Sequence, residues 1–87
     1  MHDDNGVFYY PNAANRKERM YVRRNEDGMI EFRLWNVDYP EIWERHGWLD
    51  MDMIKRAAEM YQGKSGDDPL KLYDINVAMA VLKDAGK

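Results

Sequence analysis

The sequence predicts an α+β domain: a three-stranded antiparallel sheet, built from a hairpin over 19–24 and 29–35 and a strand over 6–10, followed by three helices near 39–46, 51–62 and 74–85 packed on one face. Two observations carry this. Residues 19–35 alternate apolar and polar with period two around a glycine-containing turn, and from Asp38 onward the apolar spacing becomes helical, with capping residues at the breaks. With 87 residues, 45% of them hydrophobic, the chain supports one core, so a single domain over 6–87 is expected, preceded by a disordered 1–5.

Gly6 to Tyr10 (GVFYY) is β-branched and aromatic, lies between Asn5-Gly6 and Pro11, and reads as a strand. NAANRKE is a polar loop. RMYVRR and MIEFRLW flank Asn25-Glu26-Asp27-Gly28, a type I turn whose Gly28 can take the left-handed position of a bulge. That turn sets a register: Arg24 opposite Ile30, Val22 opposite Phe32, Met20 opposite Leu34. The alternation demands the same register. It puts Met20, Val22, Ile30, Phe32 and Leu34 on one face and Arg19, Tyr21, Arg23, Glu31, Arg33 and Trp35 on the other.

A short helix follows from about Tyr39 to His46, with Asp38 as expected N-cap, Pro40 in the first turn and Glu41 completing a capping box. Gly47 ends it. In a Schellman motif Trp43 and Trp48 would touch, closing the helix end against each other and the core. A second helix, from about Met51 to Gln62, is capped by Asp50 and stopped by Gly63, with Ile54, Ala57, Ala58 and Tyr61 at core spacing. After the loop GKSGDDP, a third helix covers at least Asp74 to Ala85. Its residues Ile75 to Leu82 leave almost no polar face, so it needs cover on most sides, either from the Leu70–Tyr73 segment and the first strand or from another chain. Val77, Ala80 and Val81 are the candidate interface for the second case.

Several chemistries find no residues to perform them. The absence of cysteine excludes disulfides, thiolate metal sites and thiol nucleophiles, and is compatible with a reducing cytoplasm. There is no threonine, and the single serine, Ser65, lies in a glycine-rich loop, a poor place for a positioned nucleophile. His2 is near the start of the chain, and His46 ends a short helix, where an imidazolium favours the helix dipole. Asp50 and Asp52 stand where carboxylates are expected at a helix start, so no metal or other cofactor is implied. Gly63-Lys64-Ser65 imitates the end of a phosphate-binding loop, but Ala58 stands where the pattern needs glycine. The opening MHDDNGVFYY has no basic stretch leading into an apolar one, and no segment approaches the roughly 18 apolar residues of a membrane span. A soluble cytoplasmic protein without membrane contact is expected.

Binding is the better-supported class. With a net charge of −3 the chain as a whole does not attract nucleic acid, but Arg16, Lys17, Arg19, Arg23 and Arg24 crowd one strand around Glu18. Arg19, Tyr21, Arg23, Arg33 and Trp35 on the outer sheet face therefore form the candidate binding set. Cross-strand pairing of Arg23 with Glu31, Arg33 with Tyr21 and Arg19 with Trp35 would absorb these groups structurally. The leading expectation is a small non-enzymatic protein-interaction or self-associating module. The alternative is nucleic-acid binding through Arg16 to Arg24 with Tyr21 and Trp35, and the residual one is an acid–base enzyme using Glu41, Glu44 or His46.

The order of hairpin, Leu34-Trp35, Gly47-Trp48 and following helix resembles in outline the MbtH-like proteins, small activators of peptide-synthetase adenylation domains that grip their partner with tryptophans. Arg33 stands where that family has serine and Asn36 where it has proline, and an additional helix follows. No functional residue is carried over.

Overall fold

Turn chemistry and side-chain alternation agree on the central hairpin, and the architecture is built outward from it. The computed structural model describes residues 2–12, 14–60 (Met60 by its backbone alone) and 73–86. Strands β1 (His2–Asp3), β2 (Gly6–Tyr9), β3 (Glu18–Arg24), β4 (Ile30–Asn36) and β5 (Leu49–Asp50) form one antiparallel sheet in the order β1-β2-β3-β4-β5. Helix α1 (Glu41–His46) lies between β4 and β5, and α2 (Met51–Met60) and α3 (Ile75–Asp84) follow.

The β3–β4 register is the one the turn dictates, with Met20 opposite Leu34, Val22 opposite Phe32 and Arg24 opposite Ile30. Gly28 adopts φ 82 and donates to Asn25 O at 2.9 Å, while Asn25 N–H donates to Met29 O at 2.9 Å. The Asn25 side chain accepts from Asp27 and Met29 N–H, so the turn satisfies its own polar groups.

The expected three-stranded sheet is wrong: the sheet has five strands. Asp4-Asn5 makes a two-residue turn that pairs His2 with Val7 and Asp3 with Gly6, adding an edge strand to β2. Asn5 N–H donates to Asp3 Oδ1 at 2.8 Å, and Gly6 takes φ 129, a backbone conformation that favours glycine. At the other edge, Leu49 and Asp50 pair with Phe32 and Glu31. Two residues are too few to show an alternation, so neither edge strand leaves a period-two signal.

The helices also depart in part from expectation. Val7, Tyr9, Met20, Val22, Ile30 and Phe32 form the core with Ile54 of α2 and Ala78 and Leu82 of α3. Helix α1 instead runs beside β4 and straddles its edge. Ile42 borders the core-side cavity, whereas Trp43 reaches Tyr21 on the opposite face. Asp38 does not cap α1; Pro40 is the N-cap with no side-chain bond, and Asp38 instead pairs with Lys17 at 3.6 Å. Gly47, at φ 61 and ψ −156, is not in the left-handed helical conformation of a Schellman motif and sends the chain out into β5.

The other caps are conventional. Asp50 Oδ1 accepts from Met53 N–H at 2.9 Å to cap α2, and Asp74 Oδ1 accepts from Asn76 and Val77 N–H to cap α3. Tyr9 Oη accepts from Asp74 N–H at 3.0 Å, tying the start of α3 to β2. Burial pushes the Tyr9 phenol up to about 12, with the neighbouring Asp74 and Tyr73 adding to the rise and the Asp74 N–H opposing it. Tyr73 packs edge-on against Phe32 at 5.6 Å. Ala57, expected in the core, is exposed. Expectations for Tyr61, Gln62, the GKSGDDP loop with Ser65, and Leu70 fall outside the described residues.

Candidate functional site

The odd-numbered residues of β3 and β4 project away from the helical layer, and the structure gathers aromatic rings and guanidiniums there. Tyr21 lies at the centre and is only 1% exposed, although neither α2 nor α3 covers it. Its cover is a roof of side chains. Phe8 from β2 contacts the Tyr21 ring at 5.2 Å, and Trp43 from α1 meets it edge-on at 5.1 Å. The Tyr21 hydroxyl donates to Asp3 Oδ2 at 2.5 Å.

Each sheet-face guanidinium has a ring beneath it. Arg19 lies between Phe8 and Trp35, 5.0 and 4.9 Å from their centroids. Arg23 stacks on Trp48 at 4.2 Å and Arg33 on Trp43 at 3.9 Å. At the margin Arg16 lies 5.2 Å from the Tyr10 ring, and Tyr10 touches Phe8 edge-on. One cation–π contact per 70–80 residues is roughly the ordinary frequency, so five in this chain mark a face built around that interaction.

Ion pairs take up part of the charge. Arg19 Nη1 donates to Asp3 Oδ2 at 3.1 Å and Arg23 Nε to Glu31 Oε1 at 2.8 Å. Desolvation pushes the Asp3 carboxyl upward, but the Tyr21 hydroxyl, backbone N–H groups and the Arg19 charge outweigh it and hold Asp3 below its usual range. Burial and the bond to Asp3 raise the Tyr21 phenol, against a lowering contact from Arg19. Arg19 Nε is buried with no hydrogen-bond partner among the described residues, an expense the ring sandwich offsets only in part.

All five residues of the sequence-derived binding set, Arg19, Tyr21, Arg23, Arg33 and Trp35, share this face. Tyr21 itself is buried and acts as its floor. Phe8, Trp43, Trp48 and Asp3 were missed. Trp43 and Trp48 do touch, at 6.1 Å and edge-on, but they close over the outer face rather than against the core. For Trp48 the signal was parity: Leu49 pairs with Phe32 on the core side, so the residue before it points outward. All three tryptophans are half-buried.

The candidate interface on α3 divides. Val77 and Ala80 are exposed, whereas Val81 packs against the core cluster. Glu41, Glu44 and His46 are all exposed, and His46 borders a cavity of about 270 Å³ lined otherwise by residues such as Leu34, Ile42, Ile54 and Tyr73. Among the described residues no group of three His, Asp or Glu side chains could hold a metal ion, and no helix is long and apolar enough to cross a membrane. No protein-family model, no curated protein and no solved structure matches the chain.

Proposed function

We propose that this chain is a non-enzymatic protein-interaction module whose working surface is the outer face of the sheet. The observation that carries the reading is the placement of every tryptophan, half-exposed, on one face and interleaved with Arg19, Arg23 and Arg33. Tryptophan, tyrosine and arginine dominate interface hot spots because they bury large areas and still offer directional donors. Here the stacking contacts fix those side chains in advance, which lowers the entropy lost on docking. The cytoplasm is the proposed place of action, with which a chain free of cysteine is compatible.

Nucleic acid is the weaker reading, because Arg19 and Arg23 already hold Asp3 and Glu31, and phosphates would have to displace those carboxylates. A photo-crosslinking phenylalanine analogue placed at position 35, with a control at the exposed turn residue Glu26, separates the two in the cell that makes the protein. The expected result is a discrete polypeptide adduct from position 35 alone; nucleic-acid adducts there would favour the alternative, and identical adducts from both positions would count against the face. Sedimentation equilibrium of the purified chain reads whether that polypeptide is a second copy.

A further inference from the structure

The three guanidiniums on the sheet face are not equivalent. Arg19 is neutralised by Asp3 at 3.1 Å and Arg23 by Glu31 at 2.8 Å, but no carboxylate lies within 4 Å of Arg33 among the described residues. The remaining acid of suitable parity, Asp50, is turned toward α2, where it accepts from Met53 N–H. Arg33 is nevertheless held firmly. Its guanidinium stacks on the Trp43 ring at 3.9 Å, and its Nε donates to Trp43 O at 2.7 Å, so one residue fixes both the plane and the inner edge of the fork. With Nε occupied, the two terminal nitrogens keep their donors, the end-on geometry that takes a carboxylate through two parallel hydrogen bonds. Trp35 shares this face two residues along β4, and Trp48 packs against Trp43.

We infer that Arg33 is the anchor for a carboxylate of the partner: the segment that docks here is an acidic peptide, presenting an Asp or Glu side chain beside apolar side chains that settle on Trp35 and Trp43. The inference rests on the reading of this face as protein-binding. Charge complementarity selects the occupant. A neutral segment would leave Arg33 covered and unpaired, at the cost of a desolvated charge, whereas a carboxylate completes the one guanidinium at the centre of the face that no carboxylate among the described residues neutralises.

The test uses the full chain as bait for a random dodecapeptide display library, followed by affinity measurements on the best peptide. Selected peptides should be enriched in Asp or Glu next to apolar residues. Changing that acid to its amide, or Arg33→Gln in the protein, should each weaken binding about thirtyfold or more, the equivalent of the roughly 2 kcal/mol lost when one partner of a close charge pair is truncated. The two changes together should cost little more than either alone. Arg33→Lys should also weaken binding, since an ammonium lacks the fork and the stack. Arg24→Gln, at the exposed turn end, should leave it unchanged, and near-UV circular dichroism checks that each variant is folded.

Peptides without acids, or an amide change that has no effect while Trp35→Ala abolishes binding, would overturn the role of Arg33 and leave the face as a protein-binding surface. Binding insensitive to both Arg33→Gln and Trp35→Ala would remove both readings. A single-stranded oligonucleotide that outcompetes the peptides and depends on Arg33 would reassign the fork to phosphate.

Discussion

The two faces of one sheet solve the problem of burial by different means. On the core face, Met20, Val22 and Phe32 are at most 2% exposed beneath α3 and α2, and they are apolar throughout. On the outer face Tyr21 is as deeply buried as Val22, yet its cover consists of Phe8, Trp43 and the stem and head of Arg19. A helix-covered face is shielded from any partner. One roofed by side chains hides its floor while keeping large rings and a cation at the surface, which is how a small domain can be stable and adhesive on the same sheet.

The contrast can be broken most forcefully from the core side. Phe32→Ala should destabilise by about 3–5 kcal/mol, since it removes a fully buried ring contacting Tyr73. A domain of this length has only on the order of 4–13 kcal/mol of stability, so urea or thermal denaturation should show a midpoint far below that of the unaltered chain.

Alkaline titration comes next. The Tyr9 phenol rises from 10 to about 12 on folding, so its contribution to stability is full below pH 10 and is lost as pH climbs to about 12. Two pKa units correspond to about 2.7 kcal/mol, and Tyr9→Phe should flatten most of that slope in chemical denaturation at pH 9 and pH 12.

Trp43→Ala should cost about 2 kcal/mol, because it uncovers Tyr21 and removes the ring on which Arg33 stacks, while the main-chain carbonyl of residue 43 remains as an acceptor for Arg33 Nε. If denaturation shows no loss, the outer roof is ornament and the comparison between the faces fails. Asp3→Asn is the mildest, about 1 kcal/mol from weakened bonds to Tyr21 and Arg19. Because the Asp3 pKa is lowered on folding, its contribution is present above pH 3.8 and falls away as pH drops below that value. Hydrogen exchange on Val7 and Phe8 amides should register the change more clearly than the melting temperature does.

How much of this was legible depended on whether a feature is local. The β3–β4 register could be read because Gly28 and the alternation from Arg19 to Trp35 each specify it within a few residues. The cap at Asp50 is equally local, and it occurs as a side-chain bond to the Met53 N–H. Asp38 misled because α1 begins only at Glu41, with Pro40 at the N-cap, which leaves Asp38 two residues outside the capping position. The edge strands were invisible because two residues carry no period, and β5 exists only because Gly47 turns the chain back alongside Phe32. The site was half legible. Parity placed Arg19, Tyr21, Arg23, Arg33 and Trp35 correctly, but the position of Trp43 follows from how α1 crosses the sheet edge, a tertiary matter with no signature in its own six residues.

The gathering of all indoles on one side has an optical consequence. Emission excited at the red edge of the absorption band reports only on the outer surface, since the core between sheet and helices contains tyrosine and phenylalanine but no indole. Each of the three also lies within contact of an arginine, so its spectrum should shift whenever a bound molecule displaces water or charge there. The protein thus carries its own label for docking, and a loosening of the roof ahead of global unfolding would appear as a fluorescence midpoint that precedes the one read from backbone dichroism.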